Sequence, residues 1–167
     1  VRYQNYMFLL KSLQCRSISS TVASKGLKAC EERKTSAENR YLDWMLGYEF
    51  PKQSDLAGRM SGLVRRVGRE ELGLYILRQD VASVCKLLEA RHLEPAVLSL
   101  RKRLDKHLGG PQSADTQELR LIESTWHSLK DRVVGMVAML QDTARSVYQI
   151  PGGMDIGELG ACFDRNA

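Results

Sequence analysis

Between Ser113 and the breaker Pro151-Gly152-Gly153, apolar residues recur every seven positions at Leu119, Trp126, Val133, Leu140 and Val147. Ile122, Leu129, Met136 and Ile150 interleave with them, and Thr143 is the one interruption. Such a stripe marks one face of an α-helix. It predicts a single helix of about 35 residues, near 50 Å long at about 1.5 Å per residue. A bundle of this size does not need that length throughout, so the helix is expected to lie along the rest of the body or to project into a partner. Leu119, Ile122, Trp126, Leu129, Val133, Met136, Leu140 and Val147 are therefore a candidate interface with a partner helix.

Upstream, Thr35-Ser36-Ala37-Glu38 reads as a capping box ahead of Tyr41, Trp44, Met45 and Tyr48, which predicts a helix over 36–48 stopped by Pro51. Ser54 or Asp55 is the expected cap of a second helix with Leu56, Met60, Leu63 and Val67 on one face. Gly58, Gly62 and Gly68 weaken that helix, which suggests close packing against a neighbour or fraying. From Glu70, the series Leu74, Leu77, Val81, Val84 and Leu88 predicts a well-buried helix. Pro95 suits the first turn of the next one, with Val97, Leu100, Leu104 and Leu108 inward and Gly109-Gly110-Pro111 as its stop. Met154 to Phe163 adds a short terminal helical turn.

These elements define an all-α chain, a helical bundle of about five helices with a long heptad-patterned C-terminal helix. The expected division is 1–20 as a leader, 21–53 as an extension with the first helix, 54–150 as the bundle body and 151–167 as a tail. Composition agrees: 43% hydrophobic and 27% charged residues, with 4 prolines in 167, are those of a folded helical protein and not of a disordered one. The longest apolar stretch, Val133 to Leu140, is too short for a transmembrane segment, which needs about 20 residues.

A formal charge of +5 raises the question of an anionic partner. Residues 56–110 hold eleven Lys and Arg against six acids, whereas 111–167 hold five against eight, so a basic middle precedes an acidic end. Arg59, Arg65, Arg66 and Arg69 on the second helix, with Arg101, Lys102, Arg103 and Lys106 on a later one, are candidate contacts for an anion, a lipid headgroup or RNA. Base-stacking aromatics are not interleaved with them, which places RNA behind lipid or an acidic protein surface.

The stretch from Met7 to Gly26 combines Lys, Arg and Ser with Leu and Phe and has no acid. Phe8, Leu9, Leu13 and Cys15 fall on one helical sector with Lys11 and Arg16 off it, the character of a mitochondrial transit peptide. Arg16-Ser17-Ile18-Ser19-Ser20 resembles the processing site of many matrix presequences.

Catalytic and cofactor chemistry finds little support. Cys15, Cys30, Cys85 and Cys162 are scattered, which removes the usual zinc and redox spacings, and Cys85 reads as core filling. His92, His107 and His127 form no metal-binding pair, the glycines lack the Gly-Lys-Ser/Thr ending of a phosphate loop, and no serine sits in a nucleophile elbow. Trp44 with Tyr41, Tyr48 and Phe50 is an aromatic cluster equally suited to a binding hot spot and to the core.

The sequence thus leads to a non-enzymatic protein without cofactor, metal or catalytic residue. The expected role is that of an accessory or structural subunit, a scaffold, in a large mitochondrial inner-membrane complex of the respiratory chain or ATP synthase. Its expected partners are other subunits of that complex, with anionic lipid at the membrane surface and RNA less favoured, and its expected location is the matrix or the matrix face of the inner membrane. The alternative is a mitochondrial ribosomal or RNA-associated protein using its basic helical face.

Overall fold

The computed structural model describes residues 21–108 and 116–167. The expected leader with its apolar sector, the Gly109-Gly110-Pro111 stop and the caps at Ser113 and Asp115 lie outside the described residues. Among the described residues seven helices follow in chain order: α1 (Thr21–Glu49), α2 (Pro51–Val67), α3 (Leu72–Tyr75), α4 (Arg78–Lys86), α5 (Ala90–Leu108), α6 (Thr116–Tyr148) and α7 (Ile156–Arg165). Among the described residues there is no strand, and the fold is all-α.

The chain divides into two units, residues 1–45 and 46–167. In the first, α1 begins some fifteen residues upstream of the expected cap. Thr35 does not cap a helix there; its hydroxyl donates back to the Glu31 carbonyl at 3.0 Å, the bond a threonine makes inside a helix. Arg40 holds Ser36 in the same way, through the Ser36 carbonyl at 3.4 Å and hydroxyl at 3.2 Å. A hydroxyl residue followed by glutamate is thus compatible with mid-helix when the preceding Ala, Lys and Glu residues already favour helix.

The second unit is organised by α6. Helices α2, α3, α4, α5 and α7 all pack on it, and α7 packs on α5 as well. Pro51 separates α1 from α2, as expected, but by starting α2: it occupies the first helical turn, where its missing N–H costs nothing, and Phe50 supplies the cap position without a side-chain bond. Leu56, Ala57 and Met60 point into the core, and Ser54 lies 3.7 Å from the Met136 sulfur, so it does not cap. Gly58 and Gly62 face open space and are not sites of close packing. Gly68 is different, since its φ of +89° ends α2 in a conformation that side chains disfavour.

The expected continuous helix from Glu70 to Leu88 is instead two pieces. α3 is a single turn, Ile76 is extended at φ −123°, and α4 restarts after Leu77. Further on, Pro95 sits inside α5, not in its first turn. The inward set of α5 is Leu93, Val97, Leu100, Leu104 and Leu108, all buried.

Along α6 the buried residues are Leu121, Ile122, Trp126, Leu129, Val133, Val137, Leu140, Ala144 and Tyr148, with Thr125, Gln141 and Thr143 among them. This face follows the 3.6-residue period of a helix and not the seven-residue stripe. A strict heptad drifts by roughly 20° per repeat on a straight helix. Its central members Trp126, Val133 and Leu140 are buried, whereas Leu119 is 51% exposed at one end and Val147 only partly covered at the other.

Two turns close the unit. α6 ends on Gln149 at φ +55°, and the Ile150 N–H returns to the Ala144 carbonyl at 3.0 Å. Gly153 then passes so close to Leu88 that a Cβ would stand 2.4 Å from the Leu88 carbonyl oxygen, which the neighbouring Met154 N–H meets at 2.8 Å. Asp155 caps α7 by accepting from Gly157 at 2.7 Å and Glu158 at 3.1 Å.

Candidate interaction surface

The polar groups with chemical potential are mostly committed to holding the bundle. A recess of about 380 Å³ lies where α6 meets α7, lined among others by Gln141, Asp142, Arg145, Gly153 and Asp155. Its Gln141 amide donates to the Met154 carbonyl at 2.8 Å, Asp142 is paired with Arg69, and Asp155 is the α7 cap. His92, His107 and His127 are exposed and separate; among the described residues no cluster of His, Cys, Asp or Glu is placed to hold a metal ion. Partial desolvation of its ring, with the nearby Arg103 and Lys106 charges, lowers the His107 pKa. Burial raises the Cys85 and Cys162 thiols, which stay protonated inside the core.

The basic candidates do not converge on one clamp, because α2 and α5 are each laid on α6. On α2, Arg59 pairs with Asp55 one turn away at 3.7 Å, and Arg65 donates to the Ser61 carbonyl at 3.3 Å. Arg69 reaches α6 and binds Asp142 and the Ser146 hydroxyl. On α5, Arg101 contacts Asp105 at 3.1 Å and lies 5.5 Å from the Trp126 ring. Arg103 lies over the Tyr48 ring at 3.6 Å and donates to Glu49 at 2.9 Å, and the same carboxylate oxygen accepts from Ser99 at 3.0 Å. Glu49 beside the Arg103 guanidinium holds that group's pKa up against its desolvation. Arg66, Lys102 and Lys106 are exposed and form no ion pair among the described residues.

The candidate partner-helix residues are divided by the fold. Ile122, Trp126, Leu129, Val133 and Leu140 are covered by this chain's own helices, Met136 and Val147 are partly covered, and Leu119 is the one left open. Of the aromatic cluster, Phe50 is buried and Tyr48 is exposed in the second unit; in the first, Tyr41 and Trp44 stack at 6.1 Å between ring centroids.

Among the described residues, the largest apolar exposure lies where periodicity placed core. Leu74 is 80% exposed, Tyr75 53% and Leu77 68%, while their neighbours Leu72 and Ile76 are buried. Leu72, which opens α3, and Ile76, the extended residue just after it, are both buried, which leaves Leu74 and Tyr75 between them on the outside. The corner is fastened from behind: the Tyr148 hydroxyl donates to the Ile76 carbonyl at 3.2 Å and the Arg78 guanidinium to the Tyr148 carbonyl at 3.1 Å. The signal in the sequence was Leu72-Gly73-Leu74-Tyr75-Ile76-Leu77 itself, too densely apolar for one helical face to cover every member.

Neither the curated proteins nor the solved structures contain a match to this chain. A protein-family model, Exocyst complex component Sec3, C-terminal, matches residues 1–150. That match overturns the mitochondrial reading: the transit peptide, the matrix or inner-membrane location, the respiratory-chain or ATP synthase subunit, the mitochondrial ribosomal alternative and the partners expected of each. The misleading feature was physical. Basic and apolar residues without acids satisfy the needs of import and equally those of any cationic amphipathic segment, and the matched region runs through residues 1–20 along with the helices. With 150 of its 167 residues matched, the chain belongs to the family of the C-terminal region of the exocyst complex component Sec3.

Proposed function

We propose that this chain is a non-catalytic component of the exocyst complex, binding other subunits through its helical surfaces and acting in vesicle tethering at sites of exocytosis on the cytoplasmic side of the plasma membrane. The family match over residues 1–150 carries this reading. An assembly role is supported by polar groups that serve as caps, ion pairs and inter-helix bonds, and by apolar side chains held out into solvent at the α3–α4 corner.

The test is to tag the chain at its endogenous level, isolate it gently and quantify the known exocyst subunits beside it by mass spectrometry. Near-stoichiometric recovery of those subunits is the expected result. Recovery with mitochondrial complexes and without exocyst subunits would overturn the proposal.

A further inference from the structure

Of the serines and threonines in the chain, Ser36 alone has cations both three and two residues before it, Arg33 and Lys34. It is exposed, within a run from Lys28 to Tyr41 in which no side chain is buried. A third cation already lies on it: the Arg40 guanidinium donates to the Ser36 hydroxyl oxygen at 3.2 Å and to its carbonyl at 3.4 Å. Arg33, Lys34 and Arg40 form no ion pair among the described residues. Residues three and four apart are neighbours on a helix, so Ser36 is flanked on α1 by Glu32, Arg33, Asn39 and Arg40. At 3.6 residues per turn, Arg33 and Arg40 fall to one side of it and Glu32 and Asn39 to the other, with Lys34 around the back. The adjacent Thr35 lacks this setting, since Glu32 stands three residues before it and its hydroxyl is given to the Glu31 carbonyl at 3.0 Å.

From this placement we propose that Ser36 is a phosphorylation site for an arginine-directed protein kinase, and that Arg33 and Arg40 hold the phosphate once it is attached. Cations at fixed positions ahead of a hydroxyl are the charge pattern that an acidic substrate groove selects. In the transfer, the Ser36 oxygen bonds to the γ-phosphorus of a nucleoside triphosphate, the bond to the departing diphosphate breaks, and the hydroxyl proton passes to the kinase's carboxylate base. A kinase takes its substrate extended, so α1 must open around Ser36. With no buried side chain from Lys28 to Tyr41, that opening breaks helix hydrogen bonds and no core, and Thr35, Ser36 and Asn39 are weak helix formers. When the helix re-forms, a phosphate of about −1.5 to −2 charge meets a guanidinium already directed at its bridging oxygen. Two arginines against the single Glu32 leave its immediate surroundings favourable. The inference concerns regulation by covalent modification and stands apart from the exocyst reading.

The experiment incubates the full chain with magnesium, ATP and the catalytic subunit of a cyclic-AMP-dependent protein kinase, an arginine-directed enzyme, and follows incorporation by intact mass and peptide mapping. Ser36→Ala, Arg33→Gln and Arg40→Gln variants run beside it; all three positions are exposed, so thermal unfolding should stay close to that of the parent chain. One phosphate on Ser36 is the expected result, absent from the alanine variant. Arg33→Gln should slow transfer roughly tenfold or more, as loss of one charge-assisted contact does. Arg40→Gln reads the hold on the product: phosphorus NMR of the modified parent chain should show a phosphate titrating below the usual value of about 6, and the variant should move it back up by roughly 0.3 unit or more. The chain isolated from its own cells under phosphatase inhibition should carry the same modification. Phosphate on Thr35 or elsewhere with Ser36 bare, equal rates for the parent and Arg33→Gln chains, or an unmodified Ser36 in the cellular protein would overturn the site. Identical phosphate titration in the parent and Arg40→Gln chains would overturn the arginine hold.

Discussion

The indole N–H of Trp126 donates to the Phe163 carbonyl at 3.2 Å while the two rings meet at 4.9 Å between centroids, so one residue of α6 holds α7 by both a polar and an apolar contact. Lys130, a turn further on, pairs with Asp164 beside it. Trp126→Phe keeps an aromatic side chain but loses the bond and part of the buried indole volume, with an expected loss of about 1–3 kcal/mol. Trp126→Ala also opens a cavity and should cost about 3–5 kcal/mol. Urea unfolding at constant slope checks both.

Two glycines should respond to alanine with opposite signs. At Gly153 the new methyl collides with the Leu88 carbonyl, which is itself fixed by the Met154 N–H, and a loss of about 1–3 kcal/mol is expected from overpacking. At Gly58, inside α2 and facing open space, alanine should stabilise by about 0.5–1 kcal/mol. Thermal unfolding of the two variants beside the parent chain decides the matter.

Tyr148 should give the alkaline limb of stability. Burial raises its pKa, and its hydroxyl donates to the Ile76 carbonyl, so the folded state favours the neutral phenol. A raised folded pKa means that this contribution is fully present below the unfolded value of about 10 and is lost as pH climbs through the folded one. Tyr148→Phe should therefore cost about 1 kcal/mol at neutral pH and flatten the decline above pH ~10. Stability of the two proteins measured from neutral to strongly alkaline pH reads this directly.

His107 acts at the opposite end. Partial desolvation first, then the Arg103 and Lys106 charges, lowers its pKa, so folding disfavours the imidazolium. Its contribution is intact above the unfolded value of about 6.5 and diminishes as pH falls below it. His107→Gln should reduce the slope of stability between pH ~7 and ~5, which titrated urea midpoints would show.

The cysteines separate by accessibility. Cys85 and Cys162 are buried with raised thiol pKa values, whereas Cys30 is partly exposed. Iodoacetamide under native conditions should label Cys30 well before the other two, and mild urea should abolish the difference, as peptide mass mapping would reveal.

Much of the helical architecture is legible from local pattern, and the failures share a cause. The inward residues Val97, Leu100 and Leu104 of α5 and the central Trp126, Leu129 and Val133 of α6 emerge from spacing because several turns in succession agree. At the ends the agreement lapses: Leu119 belongs to the heptad and not to the core, since the register drifts off the packed face. The Thr35-Ser36 pair resembles a helix start although α1 already runs through it, and Pro51 serves as a beginning as well as a boundary. Of the candidate surface, the positions of the arginines are visible in the chain, but the engagement of Arg69 with Asp142 and of Arg103 with Glu49 joins residues more than fifty apart in sequence, where no local pattern reaches.

By itself, then, the sequence determined an all-α chain, the presence and approximate place of the long helix α6, and the core faces of the longer helices, because repeated turns impose a period that backbone geometry alone sets. Tertiary structure decided where that periodicity ceases to apply. The extended Ile76 breaks an expected helix into the single turn α3 and the separate α4, and packing against α6 claims Leu72 and Ile76 while leaving Leu74, Tyr75 and Leu77 outward. A leucine's hydrophobicity is the same in either place; which leucines are covered depends on how many helices can reach the same stretch of α6.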